Sequence, residues 1–103
     1  MDKKILEDAI INVIKTIFDP EIPVNIYDLG LIYEVNVGEG GKVSILMTLT
    51  SPGCPMVDEL IEEIHLRVKE IEEVTEVDIK LTFNPPWSKD MMTEEAKLEL
   101  GFL

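Results

Sequence analysis

The sequence is short of the residues on which several common functions depend. Its 103 residues include one cysteine, one histidine and one tryptophan, so an internal disulfide is excluded. A single cysteine fits a reducing compartment, and we expect a cytoplasmic protein. No apolar run approaches the length of about 20 residues that a membrane span needs. The first residues also lack the apolar core of a signal peptide.

Basic residues are scarce as well. Nine Lys and Arg stand against 21 Asp and Glu, which gives a net charge of −12. Nucleic acids and anionic membranes are bound through clusters of Lys and Arg, so the composition argues against both partners. We interpret most of the acidity as a solvated surface that can also steer a basic partner or metal cations. The length and the 46% of hydrophobic residues predict one domain spanning residues 1–103.

The spacing of apolar residues predicts six elements. They are helix 3–18, strand 31–37, strand 42–50, helix 55–72, strand 75–83 and a short helix 93–99. This order, α-β-β-α-β plus a short C-terminal helix, predicts an α+β fold built as a two-layer sandwich on a small three-stranded mixed sheet. The first two strands form an antiparallel hairpin, and the third runs parallel to the second if the helix between them crosses over. The sequence does not decide whether the third strand lies beside the first strand or the second.

Each predicted element has one apolar face. In the first helix the apolar stripe is widened by Ile5 and Phe18. Strict alternation places Tyr33 on the inner face of the first strand, and Leu81 and Phe83 on the inner face of the third. We expect these faces to form the core.

The only cysteine lies where the strand pattern changes to the helix pattern, in the stretch Thr48–Pro55. Pro55 suits a first helical position, which makes Cys54 the helix N-cap. There its sulfur would face free N–H groups and the positive end of the helix dipole, which favours the reactive thiolate. Asp58 and Glu59 oppose this, because nearby negative charge raises the pKa of a thiol. The alternative is that Cys54 is a small buried hydrophobic residue.

Acidic residues occur in a loop of about a dozen residues between the first helix and the first strand, which we expect to pack on the domain. Asp19, Glu21 and Asp28 are its acidic members. One interpretation is that Asp19 and Asp28 bind nearby backbone N–H groups as turn residues do. The other is that they line a site with Cys54.

Four further residues, two threonines, the tryptophan and the histidine, are candidates for structural or functional roles. Thr48 and Thr50 share the outer face of the second strand just before Cys54, either as ordinary strand formers or as hydrogen-bond donors to a thiolate. Trp87 follows two prolines and is predicted to cap the edge of the core, unless it belongs to the site. His65 is predicted to be a surface residue.

Five segments in this order resemble the PaaD-like/SufT-like family of iron–sulfur cluster assembly accessory proteins. They are Asp19-Pro20-Glu21, Tyr27-Asp28-Leu29-Gly30-Leu31-Ile32, Thr48-Leu49-Thr50-Ser51-Pro52-Gly53-Cys54-Pro55, Pro86-Trp87-Ser88 and Leu100-Gly101. The resemblance implies an α+β fold and a role in maturing or delivering iron–sulfur clusters. It also implies that Cys54 is the reactive cysteine and a cluster or metal ligand.

The same resemblance implies a set of residues that line the site. They are Asp19, Glu21, Asp28, Thr48, Thr50, Ser51 and Trp87. The chain departs from some relatives, because it has neither a cysteine-rich C-terminal segment nor the phosphate loop of a fused ATPase. These departures argue against autonomous metal storage or energy use.

The resulting hypothesis is an accessory, adaptor or transient carrier protein that acts through Cys54 and meets assembly or client proteins. Clusters usually need four protein ligands, so a transient cluster would be shared with a second protomer, a partner or small thiols. A homodimer is compatible with this. A cysteine-nucleophile enzyme is disfavoured, because His65 lies about 16 Å along the helix from Cys54 and cannot act as its base. The remaining alternative is a non-catalytic interaction module without metal.

Overall fold

The computed structural model describes residues 2–18, 22–50 and 57–102. Its elements are α1 (Lys3–Ile14), β1 (Ile32–Val37), β2 (Lys42–Met47), α2 (Val57–Lys69), β3 (Glu76–Leu81) and α3 (Glu94–Glu99), with short 3-10 turns at Glu39–Gly41 and Lys89–Met91. The predicted α+β class and element order are confirmed. Within these residues no helix is both long and apolar enough to cross a membrane.

The three strands form one mixed sheet with β2 in the centre. β1 pairs with β2 antiparallel, and β3 pairs with β2 in parallel, with Val43 opposite Val77 and Met47 opposite Leu81. The third strand therefore lies beside the second, and α2 is the crossover between them. α1 packs on β1, α2 packs on β3, and the two helices pack on each other, which makes two layers with the core between them.

The apolar stripe of α1 forms much of that core. Ile10, Ile14 and Ile17 are completely buried. Asp2 caps the helix as its spacing suggests, because its carboxylate accepts a 2.7 Å hydrogen bond from the backbone N–H of Lys4. The predicted widening of the stripe is wrong, since Ile5 and Phe18 are 58% and 50% exposed. Phe18 lies four residues beyond the end of α1 and forms an isolated bridge with Asn25 instead.

A bulge in β1 makes the prediction that Tyr33 lies on the inner face of that strand wrong. Ile32 pairs with Met47 but Glu34 pairs with Leu46, so Tyr33 is an extra residue. The alternation shifts by one at this point. Ile32 packs against the core, whereas the hydroxyl of Tyr33 donates a 2.7 Å hydrogen bond to the carbonyl of Pro85.

The ends of β2 and β3 also differ from the alternating pattern. β2 ends at Met47, and both Thr48 and Leu49 are buried. Thr48 lies beyond the end of β2 and is fully buried, whereas Thr50 is partly exposed, so the two threonines have different environments. β3 ends at Leu81, which pairs with the buried Met47 and so lies on the inner face of the sheet. Leu81 and Phe83 are nevertheless 38% and 40% exposed, so the prediction that both belong to the core is wrong.

Candidate functional site

Three backbone carbonyls between residues 28 and 31 connect the motif segments. The indole Nε1 of Trp87 donates to the Leu29 oxygen at 2.8 Å. The backbone N–H of Thr48 donates to the Leu31 oxygen at 2.8 Å, and that of Thr93 donates to the Asp28 oxygen at 2.9 Å. These bonds bring residues 28–31, 48, 87 and 93 together at the end of the sheet where β1 begins and β2 ends.

The segment that presents these carbonyls is one helical turn with its own cap. Asn25 Oδ1 accepts from the N–H of Asp28, and Asn25 Nδ2 donates to Asp28 Oδ2, both at 2.9 Å. The N–H of Leu29 closes the turn on the Asn25 carbonyl at 3.0 Å. Asp28 is a turn residue, but its carboxylate binds a side-chain amide rather than a backbone N–H. Because Val24 and Leu29 are buried, the loop packs on the domain as predicted.

Gly30 ends this turn in the left-handed region, with φ +89°. A Cβ atom at this position would lie 2.6 Å from the carbonyl oxygen of Met91. The segment from residue 84 to 92 therefore packs directly on the turn. Trp87 is partly buried and packs against the core, which agrees with its prediction as a residue that caps the core edge. Its hydrogen bond to Leu29 also attaches it to the turn.

Among the described residues, Thr48 is the one polar residue that is buried. It is fully buried, and its Oγ1 has no hydrogen-bond partner within the part of the chain that the structure describes. An unsatisfied buried hydroxyl costs about 1–3 kcal/mol, so bulk packing gives no reason for a threonine here. Thr50 is partly exposed. Thr50 directly precedes the stretch 51–56, which contains Cys54, and Thr48 lies two residues before Thr50.

Replacing Thr48 with valine tests this observation. Valine has nearly the same shape and removes the unsatisfied hydroxyl, so we expect the free energy of unfolding to rise by about 1 kcal/mol. Urea denaturation followed by circular dichroism measures the change. Thr48→Ser is the matched control, because it keeps the hydroxyl, loses a methyl group and should be destabilising. A loss of stability in Thr48→Val would mean that the hydroxyl has a partner in residues 51–56.

Several predicted site residues lie outside the described ranges. They are Asp19, Glu21, Ser51 and Cys54. The predictions that Cys54 is an N-cap and that Pro55 occupies a first helical position also fall there, and both stay predictions. Within residues 2–18, 22–50 and 57–102, no group of three or more His, Cys, Asp or Glu side chains could hold a metal ion. His65 is exposed on α2, as predicted.

Sequence reasoning missed the contribution of Asn25 and of the backbone carbonyls. Asn25 and Asp28 have the spacing of a helix N-cap and its third residue, which is the pattern of a capping box. That signal was present in the sequence. The carbonyls of Asp28, Leu29 and Leu31 gave none, because every residue has a carbonyl and only tertiary structure selects its partner.

Comparison with known proteins decides the family. A family model described as "Iron-sulfur cluster assembly protein" matches residues 7–79. The chain belongs to this family. The matched range contains Asp28, Thr48 and Cys54, and it ends before Trp87. The resemblance based on the five sequence segments is thereby confirmed.

Individual family members are similar over most of the chain. A "Fe-S protein maturation auxiliary factor" from Porphyromonas gingivalis is 56% identical over 97 residues, which cover 94% of this chain and 92% of that protein. The "Fe-S protein maturation auxiliary factor SufT" of Staphylococcus aureus is 42% identical over 85 residues, or 82% and 97% of the two chains. A solved domain of unknown function from Bacillus anthracis is 34% identical, with a TM-score of 0.91 over 98% of this chain and 96% of that one.

Proposed function

We propose that this chain is an accessory protein of iron–sulfur cluster assembly or delivery that acts through Cys54 without enzymatic turnover. The relatives from P. gingivalis and S. aureus, which are named maturation auxiliary factors, support the role. The observation that carries the proposal is the set of three carbonyls at residues 28, 29 and 31. They hold Thr93, Trp87 and Thr48 together at the sheet end from which the chain enters the Cys54 stretch.

The number of ligands defines what Cys54 can do with a cluster. Iron–sulfur clusters are usually held by four protein ligands, mostly thiolates, and this chain offers one cysteine. Its described residues add no group of three metal-binding side chains. A cluster would therefore be cargo, shared with a second protomer, a client protein or small thiols. Incomplete ligation by the carrier suits transfer, because the remaining ligands can be exchanged one at a time.

A second candidate function is an adaptor that docks client proteins and binds no metal. Exposed apolar side chains close to the motif segments favour it. The N–H of Thr82 donates to the carbonyl of Met47 at 2.9 Å, so the end of β3 lies beside Thr48. Leu81 and Phe83 flank Thr82 and remain about 40% exposed there. Such a surface can contact a client directly.

Anaerobic reconstitution with ferric iron, sulfide and excess dithiothreitol tests the carrier function. We expect the wild-type chain to gain the visible absorbance of iron–thiolate charge transfer, and Cys54→Ala to lose it. His65→Ala is the matched control, because it removes the only histidine and should leave the absorbance unchanged. One cluster per two chains, together with a dimer in sedimentation, would identify a bridging cluster.

Two results would change this assignment. If no cysteine-dependent cluster forms at any ratio of iron to protein, the carrier function is wrong and the adaptor function remains. If Cys54→Ser also supports the maturation of client enzymes in cells as well as the wild type does, the chain is an interaction module that does not use its thiol.

A further inference from the structure

A shallow groove lies between α3 and the segment from residue 23 to 28, and we call it the α3 groove. Its volume is about 210 Å³. Val24 and Ala96 form a buried apolar floor, being 6% and 2% exposed. Phe18 also lines the groove, and the residue is 50% exposed. The isolated bridge between Phe18 and Asn25 fixes the backbone that carries this ring.

All the charged residues that line the α3 groove are acidic. Asp28, Glu95 and Glu99 line it, and none of the lining residues is Lys or Arg. Glu95 and Glu99 form no ion pair with any residue in the described ranges. Asp28 accepts one hydrogen bond, from Asn25, which leaves a carboxylate with further acceptor capacity. An apolar floor with three carboxylates around it favours an occupant that is both apolar and cationic.

We propose that the α3 groove docks a basic segment of a protein partner, with one Lys or Arg side chain lying on the Phe18 ring and its charged group between Glu95 and Glu99. Lys and Arg have the required shape, since an aliphatic stem carries a cationic head. The groove is smaller than the roughly 300–1,000 Å³ of typical small-molecule sites, so a single side chain suits it better than a cofactor does.

Contacts within the chain show that its aromatic rings accept cations. Lys15 Nζ lies 5.3 Å from the centre of the Tyr27 ring, and Lys89 Nζ lies 5.0 Å from that of Phe102. In the described residues no such cation lies over Phe18. A cation from outside the chain can make the same contact there, strengthened by the carboxylates. The net charge of −12 also attracts a basic partner from a distance.

The inference goes beyond the proposed function, because it names the chemistry of a partner and requires neither iron nor Cys54. The α3 groove and the motif segments are nevertheless adjacent. Asp28 lines the groove, and the next residue, Leu29, holds Trp87. A partner bound in the α3 groove would therefore lie beside the motif segments.

Peptide titration of the 15N-labelled chain tests the proposal. The probe is a short capped peptide, Gly-Arg-Leu-Lys-Gly, and the neutral control is Gly-Gln-Leu-Gln-Gly. We expect the basic peptide to shift the Asn25 side-chain amide and the Ala96 backbone amide, and the neutral peptide to leave them in place. Combining Glu95→Gln with Glu99→Gln should weaken binding about fivefold. Phe18→Ala, which leaves the charge unchanged, should weaken it about threefold.

Glu72→Gln combined with Glu73→Gln is the matched control. It removes the same charge near the β1–β2 hairpin, where Glu73 contacts Gly41, and it should change the affinity by less than about twofold. Equal weakening in both double variants would overturn the proposal, because it would show attraction to net charge alone. Shifts spread over the whole acidic surface would also overturn it. A titration with spermidine is the last control. If spermidine causes the same shifts at the same concentration, the groove binds free cations and the proposal is overturned.

Discussion

Gly30→Ala is expected to reduce the free energy of unfolding by at least about 3 kcal/mol. Two effects combine. The φ of +89° puts Gly30 in a region that costs an L-residue about 1–2 kcal/mol. The added Cβ would also lie 2.6 Å from the oxygen and 2.8 Å from the carbonyl carbon of Met91. The residue 28–31 turn and the segment from residue 84 to 92 could therefore not both keep their positions. Urea denaturation measures the loss, and the fluorescence of Trp87 reports the displaced segment.

Gly40→Ala separates these two effects. Gly40 also has a positive φ, +71°, but nothing lies within 4 Å of the position of its Cβ. It should therefore lose only the conformational part, about 1 kcal/mol, without a change in Trp87 fluorescence. Equal losses in the two variants would show that the contact with Met91 contributes little and that backbone conformation alone makes glycine necessary at Gly30.

Ile10→Ala is expected to lose about 3–4 kcal/mol of stability. Ile10 is completely buried in the middle of α1, and truncating such a side chain in a core typically costs about 2–5 kcal/mol, which includes the cost of the cavity left behind. For a chain of this size we expect the melting temperature to fall by about 15 °C. Differential scanning calorimetry measures both quantities.

Ile5→Ala is the control on the same helix. Ile5 is 58% exposed, and the substitution makes the same change in side chain and in helix propensity. We expect its effect to stay within about 0.5 kcal/mol. A comparable loss in Ile5→Ala would contradict the placement of Ile5 outside the core.

Apolar periodicity predicted the elements well because burial produces it. The stripe through Ile10 and Ile14 and the alternation of Val43, Ile45 and Met47 each reflect a face turned toward the core. The bulge at Tyr33 escaped this reasoning, because one extra residue changes the register without changing the amino-acid pattern. The sequence also did not decide which strand β3 pairs with, since a crossover helix allows more than one strand position.

Apolar residues near the ends of elements were the main source of error. Phe18, Leu81 and Phe83 continue their patterns in sequence, but the structure leaves each of them substantially exposed. A pattern does not show where the opposing element ends. The site was predictable only in part. Asp28, Thr48 and Trp87 do come together, but through backbone carbonyls that no sequence pattern reveals.

The connections of residues 28–31 determine when the site can form during synthesis. The β1–β2 hairpin is complete once Met47 has emerged from the ribosome, and β3 can join it after Leu81. The Leu29 carbonyl must wait for Trp87, which is 58 residues later, and the Asp28 carbonyl must wait for Thr93. Chains grow from the N-terminus, and distant contacts form late. A nascent chain therefore acquires its sheet first, and only a nearly finished chain can join Trp87 and Thr93 to the residue 28–31 turn.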